Sequence, residues 1–169
     1  MSNYNFVQVL PSSVQDIESA KRVWIPNVLE TKMNKGEDAN LERIIENFTR
    51  RINIQGQRDS MHFELFYLNG NCIGIANFAI DIGGIREIVD PGYGFVMEFY
   101  IIPEKRRLGF GKVLFKHIET VLKADGANNI YLTPDAITGI PFWMALGFED
   151  SGKIDPDNHM PIFIKKIEI

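Results

Sequence analysis

Cysteine is almost missing from this chain. Cys72 is the single one in 169 residues, so no internal disulfide can form, and a reducing cytoplasm is the simplest compartment. Long apolar runs are missing too. The longest uncharged stretch, Leu65 to Ile80, contains three Asn and two Gly and falls short of the roughly 18 apolar residues of a membrane span. The start, Met1 to Phe6, lacks the basic residues and apolar run of a signal peptide. No membrane partner is expected. An excess of basic charge is also absent. The chain has 18 Lys+Arg against 22 Asp+Glu, a net charge of −4, which argues against a nucleic-acid partner. His62, His117 and His159 have no ligand spacing, so no metal is expected. No repeat or low-complexity linker divides the chain, and its length suits one domain, 1–169.

What is present is an ordered series of elements. Tyr4 to Leu10 alternates as a strand. Ser13 with Asp16 resembles a capping box, and a helix should follow through Val14, Ile17, Ala20 and Val23. Pro26 is expected to limit or kink it. Leu41, Ile44, Ile45, Phe48 and Ile52 fall on one face of a second helix, with Glu42, Arg43, Glu46 and Arg50 on the other. Met61–Leu68 and Cys72–Ile82 flank Asn69-Gly70-Asn71, a hairpin signal. A loop from Asp81 to Gly94 carries Gly and acidic residues. Strand Phe95–Ile102 stops at Pro103. An amphipathic helix through Val113, Leu114, Ile118, Val121 and Leu122 ends near Gly126. A strand at Asn129–Thr133, a short helix at Ile140–Leu146, a strand from Gly147-Phe148 and a last strand at Pro161–Ile169 complete a mixed α/β domain.

The informative segment is Phe99 to Lys112. It places Arg106, Gly109 and Gly111 as Arg-x-x-Gly-x-Gly between a strand and a helix. Glycine lets the backbone approach a ligand closely. The first amides of a helix have no internal partner, and with the helix dipole they suit a phosphate. A P-loop would need Gly in place of Arg106 and Ser or Thr in place of Val113. A dinucleotide fingerprint would need Gly in place of Leu114. The alternative is a plain tight turn. Against it, residues 105–116 hold Lys105, Arg106, Arg107, Lys112 and Lys116 and no acid. Bases at a helix start oppose the dipole unless an anion is bound.

The turn resembles the acyl-CoA pyrophosphate loop of the GNAT N-acetyltransferase superfamily. Phe142-Trp-Met-Ala-Leu-Gly-Phe148 resembles that family's aromatic-x-x-Leu-Gly-Phe segment. Together the motifs cover roughly residues 95–151. The resemblance implies an α+β fold with a mixed, mostly antiparallel sheet flanked by helices and a splayed strand pair that binds acyl-CoA. It implies acetyl-CoA as co-substrate and direct attack of an amine on the thioester. The backbone at Phe99, Ile101 and Ile102 would then meet the pantetheine arm, and an amide there would stabilise the oxyanion. The amides of Arg107, Leu108, Gly109, Phe110, Gly111 and Lys112 would hold the pyrophosphate. The side chains of Lys105, Arg106 or Lys112 would meet the remaining phosphates.

An alkyl ammonium has a pKa around 10, so the amine must lose a proton. Glu98 interrupts an apolar strand just before the implied thioester site and is the candidate base. The other reading is a Glu on a solvated face, paired with Lys or Arg. The family commonly has Tyr where Trp143 stands. Indole is no acid, so Tyr100 or Tyr131 would protonate the thiolate, or it leaves unaided. Trp143 either packs against the cofactor or fills the core beside Phe142, Leu146 and Phe148. Asp81, Glu87 and Asp90 either attract a cationic amine or are solvated. Cys72 reads as a buried small residue rather than a nucleophile. A non-catalytic acyl-CoA-binding or sensing module of the same fold is the second functional reading. The acceptor amine is open between small molecule and peptide. The state is open between monomer and homodimer.

Overall fold

The computed structural model describes residues 3–55 and 60–168. In chain order the elements are β1 (Tyr4–Gln8), α1 (Val14–Lys35), α2 (Leu41–Gln55), β2 (Met61–Leu68), β3 (Asn71–Ile80), β4 (Gly94–Ile101), α3 (Phe110–Ala124), β5 (Asn129–Leu132), α4 (Gly139–Ala145), β6 (Glu149–Ile154) and β7 (Pro161–Lys166). A 3₁₀ turn at Pro103–Lys105 follows β4. Ile169, the end of the expected last strand, lies outside the described residues.

Local chemistry sets most of these boundaries. The Ser13 hydroxyl accepts from the Asp16 amide at 3.3 Å and opens α1. Gly36 closes it, donating to the Lys32 and Met33 carbonyls. The Asn40 side chain accepts from the Arg43 amide at 3.0 Å and opens α2. Asn69 and Gly70 both take positive φ, 49° and 80°, which is the requirement of a two-residue hairpin turn.

Pro26 does not end α1, so of the two expectations, limiting or kinking, the first fails. The helix runs nine residues further, to Lys35. Contacts made downstream offset the lost amide. Val28 packs on the core, and Asn27 and Glu30 bond to distant residues.

The sheet is mixed and seven-stranded, in the order β1-β2-β3-β4-β5-β7-β6. Its β1–β2, β5–β7 and β6–β7 pairs are antiparallel, and β4–β5 is parallel. The β4–β5 register pairs Gly94 with Ile130 and Phe95 with Tyr131, at the start of β4. By their contacts the residues form two compact units, 1–77 with 98–114, and 78–97 with 115–169.

The first unit has an aromatic centre. Trp24 of α1, Phe48 of α2 and Phe63 of β2 lie with ring centroids 5.6–5.9 Å apart. Ile44, Ile52, Leu65 and Ile75 are buried around them. Each such side chain contributes roughly 1.5–3 kcal/mol on burial. The apolar stripe read from α2 supplies Ile44, Phe48 and Ile52 to this core. The second unit is built on Val89, Tyr131 and Ile162 and on the rings of Phe115, Trp143 and Phe148. Among the described residues no helix is long and apolar enough to cross a membrane.

Candidate active site

Glu98 and Tyr100 alternate on β4, so their side chains share one face. That face meets α1 in the first unit. The Asn27 amide donates to Glu98 Oε2 at 3.1 Å. The Arg51 guanidinium of α2 stands 3.5 Å from Glu98 Oε1 and donates to Asn77 Oδ1 at 2.7 Å. It also lies over the Trp24 ring, 5.4 Å from the centroid. Arg51 is thereby fixed by three neighbours. Glu98 is therefore paired with an Arg, yet it is not on a solvated face. Its side chain is 23% exposed and borders a cavity of about 390 Å³ walled by α1 and α2. Burial pushes its carboxyl above the ordinary carboxylate range, opposed by Arg51, Asn27 and Lys35.

One helical turn after Asn27, Glu30 makes a second connection. Arg106 Nη1 and Nη2 donate to its two carboxylate oxygens at 2.8 and 2.7 Å. Arg106 Nε donates to the Ile101 carbonyl at 2.8 Å, and the guanidinium lies 5.0 Å from the Tyr100 ring centroid. Arg106, one of the three side chains offered for the remaining phosphates, here links α1 to the end of β4. Tyr100 is 6% exposed. Burial and the Glu30 carboxylate hold its phenol above the usual value, so it stays protonated at neutral pH.

The backbone after Glu98 is partly committed. The Ile102 amide donates to the Ile73 carbonyl at 2.9 Å, and the Arg106 amide to Pro103 at 3.2 Å. Phe99 is half-buried and Ile101 buried. The turn itself has a feature that the glycines concealed. Arg107 takes φ 62°, a left-handed conformation costing a non-glycine residue about 1–2 kcal/mol, and such strain clusters at ligand sites. Gly109 takes φ 87° and has no atom within 4 Å of where a Cβ would stand. Leu108 between them is 63% exposed. Phe110 anchors the start of α3 edge-on against Phe66, with centroids 6.2 Å apart. Gly111 and Lys112 lie in the first turn of α3. The first intrahelical bond runs from the Val113 amide to the Gly109 carbonyl, at 3.2 Å, so the amides before it have no partner within the helix.

Trp143 belongs to the second unit. It is 6% exposed and packs edge-on against Phe115 and Phe148, with centroids 5.6 and 5.3 Å apart. Asp81 organises its own loop there. Its Oδ1 accepts from the Gly83 and Gly84 amides at 3.0 and 2.9 Å, and its Oδ2 accepts from the Tyr131 hydroxyl at 2.6 Å. Cys72 is half-buried, and burial pushes its thiol up to about 11, which removes it as a nucleophile. Sequence reasoning missed Asn27, Glu30 and Arg51, all distant in the chain from the residues they hold.

Comparison with known proteins bears on this arrangement. A family model described as the acetyltransferase (GNAT) family matches residues 29–148. No curated protein matches. Among solved structures, the PaiA N-acetyltransferase of Thermoplasma acidophilum in complex with coenzyme A is 16% identical. It has a TM-score of 0.71, with 97% of this chain and 99% of that chain covered. A predicted acetyltransferase of Clostridium acetobutylicum with acetyl-CoA is 19% identical. Its TM-score is 0.67, with 94% of this chain and 93% of that one covered. The enzyme AAC(6′)-Iy, in complex with a bisubstrate analogue of CoA and acetylneamine, is 15% identical. Its TM-score is 0.65, with 90% of this chain and 95% of that one covered. The family match spans more than half of the sequence and includes Glu98, the turn and the Phe142–Phe148 segment, so this chain belongs to the GNAT acetyltransferase family.

Proposed function

We propose that this protein transfers an acetyl group from acetyl-CoA to the nitrogen of a primary amine, with Glu98 as the base. The observation that carries this reading is one half-buried carboxylate, raised in pKa, bordering a cavity and lying three residues before the end of β4. A base with a raised pKa takes a proton near neutral pH more readily than an ordinary carboxylate.

Acetyl-CoA supplies an activated thioester when bound. The chain fits such a ligand at its turn. The unpartnered first amides of α3, the left-handed Arg107 and the open space above Gly109 suit a pyrophosphate. Lys112 in the first helical turn adds charge there, while Arg106 holds the turn in place rather than the phosphates. The backbone at Phe99, Ile101 and Ile102 is assigned to the pantetheine arm, the Ile101 carbonyl being bonded to Arg106 and the Ile102 amide to Ile73.

In the transfer the amine nitrogen bonds to the acetyl carbon and the carbon–sulfur bond breaks. Glu98 accepts the amine proton, directly or through water. The thiolate takes a proton from Tyr100 or from solvent, and a thiol pKa near 8.5 lets it leave unaided. Acetyl-CoA binding by calorimetry and CoA thiol release against an amine panel test this. Glu98→Gln should keep acetyl-CoA binding and lose about 10²–10⁴-fold in turnover. Undiminished turnover in that variant removes Glu98 from the mechanism. Tight acetyl-CoA binding with no release on any amine returns the non-catalytic module.

A further inference from the structure

The cavity beside Glu98 is not an acidic one, although the chain as a whole is. Along α2, Arg43, Asn47 and Arg50 all line it, at the i, i+4, i+7 spacing of a single helical face. Arg51 lines it at the Glu98 end, and Lys32 lies on the α1 wall. Only Asp38 and Glu98 supply acid among the lining residues.

Existing pairs account for part of this charge. Lys32 is matched by Glu37 at 3.3 Å, and Arg51 by Glu98. Arg50 donates to Asn47 at 3.4 Å, a neutral partner. Arg43 makes no ion pair among the described residues. Arg43 and Arg50 thus line the cavity with no ion pair of their own among the described residues, and Asp38 is the lining acid besides the Arg51-paired Glu98. A polycationic acceptor such as a polyamine or an aminoglycoside would bring further positive charge against them.

Resting on the transfer reading above, we infer that the acceptor is a primary amine that also carries a carboxylate, with the amine at Glu98 and the carboxylate on the arginine face of α2 that ends at Arg43 and includes Arg50. Guanidinium groups recognise carboxylates through paired, charge-assisted hydrogen bonds. Arg43 lies two turns of α2 from Arg51, about 12 Å along the axis. A di- or tripeptide, at roughly 3.3–3.6 Å per residue, spans that distance with the help of an arginine side chain. The class is therefore a short peptide or an extended amino acid that offers its amino group.

The test compares tri-alanine with its C-terminal amide, alongside spermidine and kanamycin. Turnover is followed by CoA release and binding by calorimetry. Tri-alanine should exceed its amide by about tenfold or more in kcat/KM, chiefly through KM. Added salt should shrink the difference. Arg43→Gln, or Arg50→Gln should that variant fail to fold, should bring the two peptides together. Equal use of the acid and the amide, or preference for spermidine or kanamycin, overturns the inference and leaves the transfer reading standing. Binding of tri-alanine but not its amide, with no CoA released, supports the cavity assignment while overturning the transfer.

Discussion

Glu98 and Tyr131 are both titratable groups with shifted pKa values and a charged neighbour, yet the two regions do opposite work. Glu98 borders a cavity, and its partners Asn27 and Arg51 come from two helices. Tyr131 is 3% exposed, stacks on Phe95 with ring centroids 4.5 Å apart and bonds to Asp81. Burial and Asp81 push its phenol far above the usual range. The first group is perturbed and accessible. The second is perturbed and sealed. A shifted pKa marks a reactive site only where a ligand can reach it.

The comparison is broken most severely at Glu98. With the carboxylate as base, turnover should rise with pH through its raised pKa, and Glu98→Gln should abolish that limb along with most of the rate. The stability profile should respond as well. A carboxyl held above its ordinary value of 4.5 stabilises the fold at low pH, and that contribution is lost as pH climbs through the raised value. Denaturant midpoints measured across this window should fall for the parent and stay flatter for Glu98→Gln. Next in size is Arg106→Ala, which removes three charge-assisted bonds and leaves Glu30 unmatched. It should cost about 1–3 kcal/mol in chemical denaturation. Tyr131→Phe should cost about 1 kcal/mol and leave the pH–rate profile where it was. A moved profile would erase the distinction between the two regions. Ser13→Ala, remote from both, should cost about 0.5–1 kcal/mol by loss of its cap.

Features fixed by neighbours in sequence were readable in advance. The Asn69-Gly70 turn, the Ser13 cap and the apolar stripe of α2 each need only a few adjacent residues. Features fixed by distant partners were not. A helix end at Pro26 was one of two readings because local rules score only the missing amide, while Asn27 and Glu30 just after it bond to the distant Glu98 and Arg106. The Arg106–Glu30 pair was not legible because its partners lie 76 residues apart. Arg43 and Arg50 read only as part of the polar face of α2, since nothing in the local pattern separates a polar stripe facing open water from one lining a cavity. The i, i+4, i+7 order of Arg43, Asn47 and Arg50 was the available signal. The left-handed backbone of Arg107 was not anticipated because the glycines on either side of Phe110 drew the conformational argument to themselves.

Helix α1 joins two of these themes mechanically. Asn27 steadies the carboxylate and Glu30 anchors the arginine before the turn, one helical turn apart on a single stiff rod. Any rotation of that rod displaces both attachments in the same sense. The carboxylate on the strand and the arginine before the turn therefore share one bearing. A chain cut after α1 would lose the alignment of both while leaving Glu98, Gly109 and Gly111 intact.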